Sequence, residues 1–199
     1  MLSVIYFTTN FLEVYGEGMR SLGGIVSFCG DIIEPCELDV MRRYGSIYER
    51  ANLYGGVALF FGGEEQPVEC GEVGRRIAVM LDGGISNRDE LCRRLTLEDS
   101  PTDVYLAAAA YSLMTDGFFG AVSGSYHAAI YDEEKGRVVL AVRGRGRAPI
   151  YYIKEGGRFV FSTSLEVILK FGGAGEIKVL VDGDGLIISL GKCEQVALE

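Results

Sequence analysis

From Ser125 onward the sequence alternates short β-branched or aromatic runs with turns that carry glycine. "SYHAAIYD" is followed by "DEEKGR" and "RVVLAVR", and "PIYYI" by "KEGGR" and "RFVFSTS". Apolar runs separated by a few glycine-bearing residues fold back on one another, so this half predicts antiparallel hairpins. Further strands are expected in "SVIYFTT", "GGIVSF", "GVALFF" and "RIAVML", with a weaker pair in "KVLV" and "GLIISL".

Helices are expected where apolar residues recur at three and four. Glu37 to Tyr48 carries Val40, Met41, Tyr44, Ile47 and Tyr48 along one stripe. Asn87 opens a second helix, with Glu90 three residues later completing a capping box. In "SPTDVYLAAAAYSLMTDG", Ser100 is expected to cap, Pro101 to take the first helical position and Asp103 to complete the box. A short last helix is expected from Ser164 to about Lys170. Helices fall in blocks between sheets instead of alternating with strands, which predicts α+β layers and not a doubly wound parallel sheet.

With 199 residues, 48% of them hydrophobic, the chain buries one sizeable core and reads as one domain over 1–199. A formal net charge of -9 argues against a protein that coats nucleic acid or an anionic membrane surface. Nothing reaches the roughly 20 apolar residues of a membrane span. The N-terminal "MLSVIYFTTNFLEVYG" lacks a basic n-region, so it reads as a first strand and not a signal peptide. Five cysteines with no C-x-x-C pair suit a reducing cytoplasm. One histidine, His127, cannot build a His-rich metal site, and no metal or cofactor is expected.

"AVRGRGRAPIYY", Ala141 to Tyr152, sets Arg143, Arg145 and Arg147 two residues apart in this acidic chain. Two readings stand: a solvated hairpin loop, or an anion site in which guanidinium forks and backbone N–H groups grip a phosphate or an acidic surface.

Column by column, Gly124 to Ser164 resembles the end of the glutaminase domain of class II glutamine amidotransferases, of the asparagine synthetase type. "GSYHAAIYD", "VVLAVRGRGRAPIYY" and "GGRFVFSTSLE" stand for that family's G-x-F-A-F-A-L-Y-D, L-L-L-A-R-D-R-x-G-x-x-P-L-Y-Y and G-x-x-x-F-A-S-E. Upstream, "LDGGISNRDEL" resembles N-G-E-I-Y-N-x-x-x-L, "EEQPV" resembles G-x-Q-P-M, and "GGIVS" resembles the opening C-G-I-V-G. The resemblance spans 23–199 and leaves 1–22 as an N-terminal extension. It implies the N-terminal nucleophile hydrolase fold, a four-layer α/β/β/α sandwich of two antiparallel sheets.

In that family an N-terminal cysteine attacks the side-chain amide of glutamine, which requires a base, oxyanion donors and groups for the substrate's charges. By alignment, Gly23 stands in the nucleophile column and Asp82 in that of the oxyanion asparagine. Gly83 keeps a backbone N–H, and Pro101 replaces the aspartate that meets the glutamine ammonium. The family's substrate-holding arginine has no counterpart. Cleavage before Ser21 or Cys29 is the route by which a new N-terminal nucleophile would arise. The chain ends without an S-G-G-x-D-S loop, so amidotransfer would need a second polypeptide.

Three functions follow as expectations. The first is an inactive glutaminase-like domain that binds or regulates a separate synthetase subunit or another protein. The second is an active amidotransferase subunit with a processed nucleophile, and the third a sensor of glutamine or a related small molecule. Residues 1–22 are expected to cover the old pocket.

Overall fold

The computed structural model describes residues 21–29, 31–44, 52–54, 56–62, 68–70, 77–97, 101–155, 157–172, 175–189 and 192–198. The expected strand "SVIYFTT" and the expected cap Ser100 lie outside this set, as do residues 1–20 of the 1–22 extension expected to cover the pocket.

The first half contains β1 (Ser21–Ser27), α1 (Pro35–Tyr44), β2 (Asn52–Tyr54), β3 (Val57–Gly62), β4 (Val68–Cys70) and β5 (Ile77–Ile85). Helices α2 (Arg88–Leu95), α3 (Asp103–Met114) and α4 (Phe118–Ala121) follow. The second half runs β6 (Gly124–Asp132), β7 (Arg137–Arg143), β8 (Ile150–Glu155), β9 (Arg158–Ser162), α5 (Leu165–Phe171), β10 (Lys178–Leu180), β11 (Asp184–Ser189) and β12 (Lys192–Ala197).

The strands form two six-stranded sheets, ordered β10-β8-β9-β1-β3-β2 and β12-β11-β7-β6-β5-β4. Every described pairing is antiparallel. The period-2 alternation of the strands sorts their side chains into layers. On β5, Ile77, Val79 and Leu81 pack with α3, while Ala78 and Met80 face the other sheet and meet Leu22, Val26 and Phe161. On the far side of the first sheet, Ile25, Phe60 and Val160 pack with Met41 of α1 and Val167 of α5. Three apolar layers between four structural ones are the expected α/β/β/α sandwich. The run of alanines explains how close α3 lies on β5, since Ala107, Ala108 and Ala110 are buried with no bulk to hold the helix off.

Several expectations are corrected. β7 and β8 are not a hairpin: they lie in different sheets, so the Arg/Gly segment is the crossover between them. Turn chemistry is the same for both arrangements, and only the distant pairing partners decide. α3 is capped by Thr102, whose hydroxyl accepts from Tyr105 N at 3.3 Å, so Pro101 precedes the cap instead of opening the helix. Asp103 turns away from the helix backbone and accepts from Ile85 N at 2.9 Å. Asn87 holds the N-cap position of α2, but its side chain spans to the next segment, donating to Ala121 O at 2.8 Å and accepting from Ser123 N at 2.9 Å. α1 starts two residues earlier than expected, at Pro35. β12 gave no apolar signal because it is an edge strand whose residues, "KCEQVA", are mostly exposed.

Candidate functional site

The columns singled out by the resemblance lie on β1, near the end of β5 and just before the cap of α3. Gly23 lies within β1, paired with Phe60 on one side and Ser162 on the other. A Cβ there would stand 2.8 Å from Met41 Cε, so the position faces the α1 layer. Asp82 and Gly83 lie near the end of β5. Pro101 precedes the cap of α3, and Arg88 reaches across to it, donating to its carbonyl at 2.5 Å and pairing with Asp103. Ser21 begins β1, and Cys29 is exposed just after it.

Asp82 shares the inward parity of Ala78 and Met80, so β5 carries its carboxylate into the layer between the sheets. It is 4% exposed, as is its cross-strand neighbour His127. His127 Nδ1 lies 3.2 Å from Asp82 Oδ2, and Nε2 lies 2.7 Å from Ala148 O. A carbonyl oxygen only accepts, so Nε2 carries a proton.

Arg147 completes the cluster from the crossover. Its Nη1 donates to Asp82 Oδ2 at 2.6 Å and stands 3.5 Å from His127 Nδ1. Its Nη2 donates to Ser125 O at 2.9 Å, and its Nε to Ser125 Oγ at 3.3 Å. Gly83 leaves room for this: its φ is +120°, and a Cβ would overlap both Arg147 Nη2 and Ser125 O. Removing one member of a buried ion pair leaves the other unmatched, at a cost of about 3–5 kcal/mol.

The three loop arginines therefore do not act together. Arg143 donates from Nη1 to Phe119 O at 3.0 Å and Val122 O at 2.9 Å, satisfying carbonyls at the end of α4. Arg147 is bound to Asp82, and Arg145 alone is exposed at the turn. Gly144 N donates to Asp182 Oδ1 at 2.6 Å, fixing the start of the crossover.

His127, in a sheet strand with no serine or cysteine placed beside it by sequence, reads as a satisfied structural histidine instead of a base, and both of its ring nitrogens meet partners. A histidine and an aspartate inside apolar strands, each at the inward parity, require polar partners, because burying either unpaired is costly. Among the described residues, no three His, Cys, Asp or Glu side chains gather as a metal site. No described helix is long and apolar enough to cross a membrane.

The family model described as a glutamine amidotransferase domain matches residues 60–170. Over 163 residues the chain is 25% identical to asparagine synthetase [glutamine-hydrolyzing] 3 of Bacillus subtilis (strain 168), covering 74% of this chain and 26% of that protein. It thus spans about a quarter of the curated relative's length. Glutamine phosphoribosylpyrophosphate amidotransferase from B. subtilis, solved with ADP and GMP, superposes with a TM-score of 0.62 at 15% identity, over 89% of this chain and 43% of that one. A glutamine aminotransferase class-II domain protein from Silicibacter pomeroyi superposes with a TM-score of 0.50 at 11% identity, over 90% of this chain and 98% of that one. At such identities the structures share a fold, and the family rests on the sequence match. That match covers more than half of the chain, so the protein belongs to the glutamine amidotransferase domain family, as a class II domain related to asparagine synthetase with the N-terminal nucleophile hydrolase fold.

Proposed function

We propose that this domain no longer hydrolyses glutamine and acts as a binding or regulatory partner of a separate synthetase polypeptide in the cytoplasm. The observation that carries the reading is the Arg147–Asp82 pair beside Gly83. In the column where the family places an amide donor for the oxyanion, this chain has a carboxylate, and its own guanidinium lies over the adjoining glycine. Loss of one oxyanion donor lowers kcat by about 10²–10³, and a carboxylate adds repulsion toward developing negative charge. Gly23 adds a second loss, because it offers no nucleophilic side chain and is held on both sides by strand pairing. Glutamine or a related molecule remains the small ligand to test, and neither nucleic acid nor membrane is a partner in this reading.

The test is ammonia release from L-glutamine by the purified full-length chain against a heat-inactivated control. No release from folded protein is expected. Release at an enzymatic rate overturns the reading.

One observation keeps a second reading in view. Cleavage before Ser21 would leave the described span of β1, Ser21–Ser27, intact. Cleavage before Cys29 would instead delete β1, which pairs on both edges within its sheet. Ser21 is thus the better candidate for an active form with a processed nucleophile. Intact-mass analysis showing Ser21 at the N-terminus, together with ammonia release, would establish it.

A further inference from the structure

We propose that Asp82, Gly83 and Ser125 form a guanidinium-binding site that the chain fills with its own Arg147, as a plug held in the crossover between the sheets. This holds whether or not the domain hydrolyses glutamine.

Three edges of the guanidinium are read separately. Asp82 Oδ2 takes Nη1 at 2.6 Å, Ser125 O takes Nη2 at 2.9 Å, and Ser125 Oγ takes Nε at 3.3 Å. Asp82 is itself nearly inaccessible, with a side chain 5% exposed. Gly83 supplies the floor, since any side chain there would collide with the guanidinium nitrogen and lie 2.8 Å from Arg147 Cζ. A planar fork with donors on three sides matches this set, whereas an ammonium has no means to span all three acceptors. The site therefore takes guanidinium groups and rejects simple amines.

The segment that carries the plug has its own pivots. Gly144 and Gly146 lie at φ +112° and +82°, conformations that glycine adopts without strain. Withdrawal of Arg147 about these two positions would bare Asp82 and Gly83 to a guanidinium from another molecule.

Two experiments test this without measuring ammonia, so their failure is distinct from failure of the proposal that hydrolysis is lost. Arg147→Ala should lower Tm by about 5–15 °C. Millimolar methylguanidinium should then raise the variant's Tm saturably, by about 2 °C or more, and leave the wild type unmoved. Methylammonium should do neither. No response of the variant, or an equal response to methylammonium, overturns the proposal. If the variant does not fold, the wild type answers through modification by phenylglyoxal mapped by mass spectrometry. Arg147 should react at least about tenfold more slowly than exposed Arg145, and Asp82→Ala should reduce that protection. Equal rates in the wild type overturn the proposal.

Discussion

Replacing Tyr111 with phenylalanine removes one oxygen from a fully buried polar contact of the helical layer. The Tyr111 hydroxyl donates to Asp132 Oδ2 at 3.1 Å and accepts from Arg137 Nε at 2.9 Å. Tyr111 and Asp132 are both 0% exposed. The variant keeps the ring, its edge contact with Phe118 at 6.2 Å, and the Arg137 guanidinium 5.7 Å from the ring centroid. Each lost hydrogen bond has a charged partner and is worth about 1.5 kcal/mol at the low end, so the loss at neutral pH should be about 3 kcal/mol. Asp132 still accepts from Lys135 N at 3.1 Å, and Arg137 still pairs with Asp116 at 2.5 Å, which brings the expected figure toward about 2 kcal/mol.

The pH dependence gives a second readout. Burial, and then the neighbouring Asp132 charge, push the Tyr111 hydroxyl above its ordinary value of 10.0, with Arg137 opposing. The folded state thus keeps this proton where the unfolded chain releases it. The stabilisation is complete below about pH 10 and declines above it, by up to about 1.4 kcal/mol per pH unit. The phenylalanine variant has no such proton, so its alkaline limb should be shallower than that of the wild type. Urea unfolding at neutral pH and across roughly pH 9 to 11 measures both effects. A loss under about 0.5 kcal/mol at neutral pH, with parallel alkaline limbs, would refute the reasoning.

Other substitutions probe the remaining layers. Gly24→Ala places a Cβ 2.6 Å from the Phe161 ring and 2.9 Å from Ala58 O, and should cost about 1–3 kcal/mol; adding Phe161→Leu should recover part of it in the same unfolding assay. Thr102→Ala removes the α3 cap and should cost about 1 kcal/mol, with an unchanged urea midpoint counting against the cap. Gly23→Cys restores the family's side chain at its column, but inside a strand and without the oxyanion asparagine, and should release no ammonia from glutamine. Release by that variant would show that only the nucleophile had been lost.

What the sequence disclosed follows the range of the forces involved. The cores of β5, β6, β7 and β9 were legible because alternation and β-branching act within a few residues. Thr102 and Ser100 are both good cap residues two positions apart, and nothing local decides between them. The crossover after β7 is undecided locally for the same reason, since "GRGRAP" suits a hairpin as well as a passage between sheets. The Asp82–His127 pair depends on the β5–β6 register, and Arg147 reaches Asp82 from 65 residues away. The alignment columns located Asp82 and Gly83 but carried no information on which arginine of three would turn inward.

The position of β1 has a consequence for how the chain is made. It lies between β3 and β9, and Leu22 N donates to Thr163 Oγ1 from 141 positions away. Because β3 precedes β9 in the chain, the edge of β1 that faces β9 has no native partner until β9 leaves the ribosome. Long-range closure of this kind slows folding and exposes an apolar strand edge meanwhile. The full chain should therefore acquire its cooperative structure late, after Thr163 has emerged, and any truncation ending before β9 should be a substrate for chaperones instead of a folded half.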